Sequence, residues 1–166
     1  MRISRRFFCL SATSAVATAS LLPKIGWARR ASALPLTIVN LCTGDSVSGH
    51  FDQKFCRKLE ANLVCPKTLQ QGRINQGLIK IIFDMASELG VSEIKVKSAY
   101  RSARGDCTPS HEKSLHESGR AIDLEVPSDQ LEKWSSVARQ KGAQGVGILR
   151  SSNTLHVDVG PIKRNW

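Results

Sequence analysis

Three side chains of this sequence have the types, and sit in the local patterns, that a divalent cation selects. His116 lies in SLHESG, Asp123 follows in AIDLEV, and His156 lies in TLHVDV. Two imidazoles and a carboxylate form a nitrogen and oxygen donor set. Three protein ligands leave a fourth position open for water or substrate, the arrangement of a catalytic zinc rather than a structural one. Strand alternation puts Ile122, Leu124 and Val126 on one face and Ala121, Asp123 and Glu125 on the other. The same division recurs around His156, with Leu155, Val157 and Val159 opposed to Thr154, His156 and Asp158. Two such strands in one sheet, apolar sides packed on helices, turn Asp123 and His156 toward the same open side. His116 joins them only if the chain bends at Gly119 or its neighbours. On a helix the two residues would be roughly 10 Å apart along the axis, and on a straight strand they would point opposite ways. His50, after a glycine turn, and His111, in a polar loop, lack such a setting and are expected to be solvated.

The elements that must position these groups are legible from periodicity. LPLTIVNL, residues 34 to 41, is β-branched and apolar and reads as a strand ended by the turn residues of CTGDS. Residues 51 to 63 carry Phe55, Leu59 and Leu63 at helical spacing with Asp52 as a cap. Residues 75 to 89 form the strongest helical pattern, with Leu78, Ile81, Ile82, Met85 and Leu89 on one stripe, Asn75 at the start and Gly90 just past the end. EIKVKSAY alternates as a strand, and the polar loop RSARGDCTPSHEKS follows it. After RAIDLEV, Pro127 and Ser128 open a third helix that runs through Arg139, turns Leu131, Trp134 and Ala138 inward and stops at Gly142. GVGIL and TLHVDVG then form a hairpin across residues 150 to 153. This order predicts an α+β fold, an antiparallel sheet with its helices on one face.

Residues 1 to 33 are set aside as a signal peptide of twin-arginine type. They contain SRRFF, a weakly apolar Ala/Ser/Thr segment and the small-residue site Ala31-Ser32-Ala33. The apolar stretch is too short and too polar for a stable membrane anchor. The leader contributes six basic residues and no acidic one to the net charge of +10, so the remainder carries 18 basic against 14 acidic residues, a net +4. That mild basicity suits an anionic polymer, and the absence of a clustered basic arm excludes a nucleic-acid binder. The expected state is an exported, periplasmic monomer. Without the leader, Cys42, Cys56, Cys65 and Cys107 remain, an even number suited to disulfides in an oxidising compartment, with three pairings open.

SAYRS, SLHESGRAIDL, GVG and LHVDVGPIKRNW, in this order, resemble the LAS-type zinc peptidases, which include lysostaphin-type endopeptidases, D-alanyl-D-alanine carboxypeptidases and the hedgehog signalling domain. IVNLCTGDS and the closing GPIKRNW are similar to the YcbK-like murein endopeptidases, and the likeness runs from about Leu36 to Trp166. The resemblance implies a hedgehog/D-Ala-D-Ala-carboxypeptidase-like domain over residues 34 to 166 with His116, Asp123 and His156 as zinc ligands. It implies Arg101 as the group that meets the substrate carboxylate or the attacked carbonyl oxygen, a role that suits a planar, permanently charged fork of donors. Ser114 either hydrogen-bonds within the site or caps its loop. Many relatives place a glutamate or histidine two or three residues before the last ligand, where this chain has Asn153 and Thr154. Asp158 is therefore the candidate either for general base or for orienting a ligand. Cys42 replaces a customary histidine and Ala99 a customary glycine. The implied activity is zinc-dependent hydrolysis of peptidoglycan cross-links or stem peptides by a murein endopeptidase. The alternatives are a D,D-carboxypeptidase and a non-catalytic, wall-binding member of the same fold.

Overall fold

The computed structural model describes residues 35–103 and 114–161 in full, together with the backbone of Arg164 and Asn165. The expected leader, Cys107 and His111 lie outside the described residues. Strands β1 (Leu36–Asn40) and β2 (Ser46–Gly49) precede helices α1 (Gln53–Asn62) and α2 (Gln76–Leu89). Then follow β3 (Glu93–Ser98), β4 (Ala121–Glu125), α3 (Leu131–Gln140), β5 (Gly145–Leu149), β6 (Thr154–Asp158) and β7 (Arg164–Asn165).

The caps explain the helix limits. The Asp52 carboxylate accepts from the Phe55 N–H at 2.6 Å, and the Asn75 side chain accepts from the Leu78 N–H at 3.2 Å. Gly90 ends α2 in the left-handed conformation, with φ of 69°. Helix α3 starts later than its sequence suggests, because Pro127 to Gln130 first close a turn through Gln130 N–H to Pro127 O at 2.9 Å. Met85 is fully buried and fills the core beside Leu78 and Ile82.

The strands form one mixed sheet in the order β2-β1-β3-β4-β6-β5-β7. Its centre, β3-β4-β6-β5, is antiparallel as the sequence predicts, whereas β1 runs parallel to β3 and β7 parallel to β5. The two helices between β1 and β3 supply the long crossover that a parallel neighbour requires. The short β2 pairs antiparallel with β1 and is serine-rich and mostly exposed, so it leaves no apolar signature in the sequence. Ile38, Ile94, Val96, Ile122, Leu124, Leu155 and Val157 pack in one core with Leu78, Ile82, Met85, Leu131 and Trp134.

Two features of the sheet prepare the site. Pairing between β3 and β4 shifts between Val96 and Ser98, a β-bulge that inserts Lys97 opposite the Leu124–Asp123 step. In addition, β6 is buried at every position and β4 at all but the last, so the face predicted to be open is covered as well. The cover comes from residues 99 to 103 and 114 to 120, tied together by Arg101 N–H to His116 O at 3.2 Å.

Cys42, Cys56 and Cys65 are free thiols, contrary to the disulfide expectation. Cys56 is buried in the core from α1, and the Cys65 sulfur accepts from the Ser102 hydroxyl at 3.6 Å, so both buried sulfurs already serve local packing. Among the described residues, no helix is long and apolar enough to cross a membrane.

Candidate metal centre

Asp123 of β4 stands directly opposite His156 of β6 in the antiparallel register, which brings the two side chains together on the same face. Asp123 Oδ1 lies 2.8 Å from His156 Nδ1, and Asp123 Oδ2 lies 3.4 Å from His116 Nε2. Donor atoms of His116, Asp123 and His156 all lie within 4.8 Å of one another, and all three residues are buried. The bend required of the chain between His116 and Asp123 is present. Residues 115 to 119 form a turn, Gly119 has φ of 63°, and a Cβ there would lie 1.8 Å from the Arg73 carbonyl oxygen. Only glycine fits both the backbone angle and that approach. The Gly119 carbonyl accepts from Asn75 N–H at 2.8 Å, which fixes the turn to the start of α2.

The protonation pattern suits a cation. His116 Nδ1 lies 2.7 Å from the Ala99 carbonyl oxygen, which can only accept, so Nδ1 carries a proton and Nε2 is the ring nitrogen that faces Asp123. Burial by itself would raise the Asp123 pKa. Hydrogen bonding from His116 and His156, and their charge, overcome that effect and hold the carboxyl well below the usual carboxylate range. Each ring nitrogen of His156 faces a carboxylate oxygen, Nδ1 facing Asp123 and Nε2 facing Asp158 Oδ2 at 3.4 Å. Asp158 is completely buried. Its Oδ1 accepts from Gly160 N–H at 2.7 Å, while its Oδ2 has no hydrogen-bond partner among the described residues. Two imidazoles, an ionised carboxylate and a buried acceptor waiting behind one imidazole match a borderline cation such as zinc.

Arg101 borders this cluster. Its Nε donates to Ser98 Oγ at 2.8 Å and its Nη2 to Asp123 Oδ2 at 2.5 Å, with the side chain one-third exposed. The predicted residues Arg101, His116, Asp123, His156 and Asp158 thus meet at one place. Ser114 instead immediately precedes the turn, its hydroxyl accepting from His116 N–H at 3.3 Å. Thr154 is buried with its hydroxyl engaged by Lys97 at 3.2 Å, and neither it nor Asn153 offers a carboxylate.

Sequence reasoning overlooked Ser98, the Ala99 carbonyl and Gly145. Ser98 pairs opposite Asp123 because of the bulge, which strict alternation does not foretell. Gly145 is opposite Asp158, and a Cβ there would lie 1.9 Å from Asp158 Oδ2. A glycine at the first position of the predicted strand GVGIL was the available signal for that close approach.

Comparison with known proteins agrees with this geometry. A Haemophilus influenzae protein described as a probable peptidoglycan L,D-endopeptidase MepK is 30% identical over 145 residues, covering 79% of this chain and 77% of the relative. The peptidoglycan L,D-endopeptidase MepK of Escherichia coli K12 is 28% identical over 163 residues, 89% of each chain. Residues 37–166 match the family described as peptidoglycan L,D-endopeptidase MepK, and the chain belongs to that family.

Proposed function

We propose that this protein is a zinc-dependent endopeptidase that hydrolyses L,D-peptide cross-links of peptidoglycan in the periplasm. The observation that carries the reading is the buried convergence of His116, Asp123 and His156, in a chain whose relatives are described as L,D-endopeptidases. These three residues would hold the metal. When bound, zinc supplies a Lewis acid for the scissile carbonyl and brings the pKa of water toward about 7. Arg101, steadied by Ser98, offers its guanidinium to the negative charge that develops on the substrate. Asp158 is sealed from solvent behind His156, which suits it to orienting that imidazole rather than to touching substrate. The twin-arginine segment SRRFF supports export.

The test is digestion of purified sacculi with the protein, with added zinc and with chelator, followed by chromatography of the released muropeptides. L,D-linked dimers are expected to disappear in the zinc arm only. Unchanged muropeptides, with protein still sedimenting on the wall, would establish the wall-binding alternative. Release of free D-alanine would establish a carboxypeptidase.

A further inference from the structure

One register step from the metal cluster, the same sheet face carries a pair of opposite charges. Glu125 is two residues beyond Asp123, about 7 Å along the strand, and pairs across β6 with Thr154 as Asp123 pairs with His156. Lys97, the extra residue of the bulge, crosses β4 to reach this point. Its ammonium donates to Thr154 Oγ1 at 3.2 Å and to the Ser152 carbonyl, and lies 3.8 Å from Glu125 Oε2. A bulge re-aims a side chain that regular pairing would send elsewhere. Here it places a fixed cation beside a carboxylate that is 40% exposed. Glu125 also borders a cavity of about 330 Å³, lined in addition by Lys95, Gln130, Trp134 and Asn153. Glu125 therefore has open space beside it.

We infer that Lys97 and Glu125 form a subsite that reads a free amino-acid group, an ammonium and a carboxylate on one carbon, at the far end of the substrate residue whose carbonyl is attacked. This rests on the L,D-endopeptidase reading. An L,D cross-link joins the L-centre carbonyl of one diamino diacid to the D-centre amine of another. The donor residue then keeps its own D-centre as a free ammonium and carboxylate at the end of its side chain. That side chain is about 6 Å long when extended, which matches the single step between Asp123 and Glu125. Glu125 takes the ammonium and Lys97 the carboxylate, each by a charge-assisted contact. A residue without that free end leaves the Lys97–Glu125 contact as it is and gains neither charge-assisted bond, which is the basis for discrimination.

The test uses the zinc-loaded protein and three defined muropeptide dimers: the L,D-linked dimer with a free donor end, its N-acetylated form and its carboxamide form. The protein is expected to cut the free-end dimer with a kcat/KM at least about tenfold above either capped form, mainly through KM. Glu125→Gln should erase the preference against the N-acetyl form, and Lys97→Met the preference against the carboxamide. Because Lys97 also ties down the Ser152 turn, Glu125→Gln is the decisive variant. Equal cutting of all three dimers, or a Glu125→Gln variant that loses the same factor on each, overturns the inference. If no dimer is cut, the hydrolase reading fails, and calorimetric binding of the same three dimers decides the subsite separately. Tighter binding of the free-end dimer supports it, and equal affinities overturn it.

Discussion

Strands β4 and β6 present two faces that are both largely buried and differently built. Toward the helices, Ile122, Leu124, Leu155 and Val157 lie among apolar neighbours. Each such side chain contributes about 1.5–3 kcal/mol through contact with no fixed direction. Toward the other side, Asp123, His156 and Asp158 are also buried, but every one of them depends on a partner at a particular distance. The apolar face tolerates exchange of shape at roughly constant volume. The polar face does not, since removing one charged group strands the others in a medium that solvates them poorly. Burial on one side builds stability, and on the other it prepares a donor set.

Adjacent residues of β4 break the comparison most strongly. Asp123→Ala removes the carboxylate shared by His116, His156 and Arg101. It is expected to abolish zinc binding and to lower sacculus hydrolysis by about a thousandfold or more. Leu124→Ala, one position on and facing the core, is expected to cost about 2–5 kcal/mol in unfolding free energy, while zinc bound per folded molecule stays at the wild-type value. Denaturant melts and metal analysis on both variants check the pair. Similar metal content in the two would mean that Asp123 is not a ligand.

The contrast also marks how far the sequence could be read. The apolar faces were legible because burial writes a period into the chain. Leu78, Ile82 and Met85 at helical spacing, and Ile122 and Leu124 at strand spacing, are buried as their spacing predicts. His116, Asp123 and His156 were legible as a set from two alternating strands, a glycine at which the chain could bend, and the resemblance of SLHESGRAIDL and LHVDVG to zinc peptidases. What escaped depended on events without a period. The bulge at Lys97 places Ser98 opposite Asp123 against simple alternation, and covering of the second face follows from loop contacts such as Arg101 to His116. The exposed β2 and the parallel run of β1 beside β3 left no mark either, because exposed strands lack apolar contrast and pairing partners are a property of the whole fold.

A smaller effect is expected one layer behind the donors. Asp158→Asn keeps the size of the side chain and removes the charge facing His156 Nε2, and a loss of about 10–100-fold in metal affinity is expected. Gly145→Ala should act the same way without touching any donor, because its new Cβ would lie 1.9 Å from Asp158 Oδ2 and force that carboxylate to move. Competition with a chelating dye measures both. Wild-type affinity in Gly145→Ala would show that the position of Asp158 does not govern His156.

The mildest test concerns Ser98, whose hydroxyl holds the Arg101 Nε at 2.8 Å. Arg101 keeps its contact with Asp123 in Ser98→Ala, and its one-third exposed side chain lets water replace the lost acceptor. The cost is therefore about 1 kcal/mol, which corresponds to about a fivefold fall in kcat/KM. Zinc content and melting temperature should stay unchanged, since neither the donor set nor the apolar face is altered. The division of the loss carries the information. A lower kcat with constant KM identifies Arg101 with charge that develops during bond cleavage, whereas a higher KM with constant kcat identifies it with a carboxylate present in the bound substrate. An unchanged kcat/KM would detach Ser98, and the bulge that delivers it, from the work of the site.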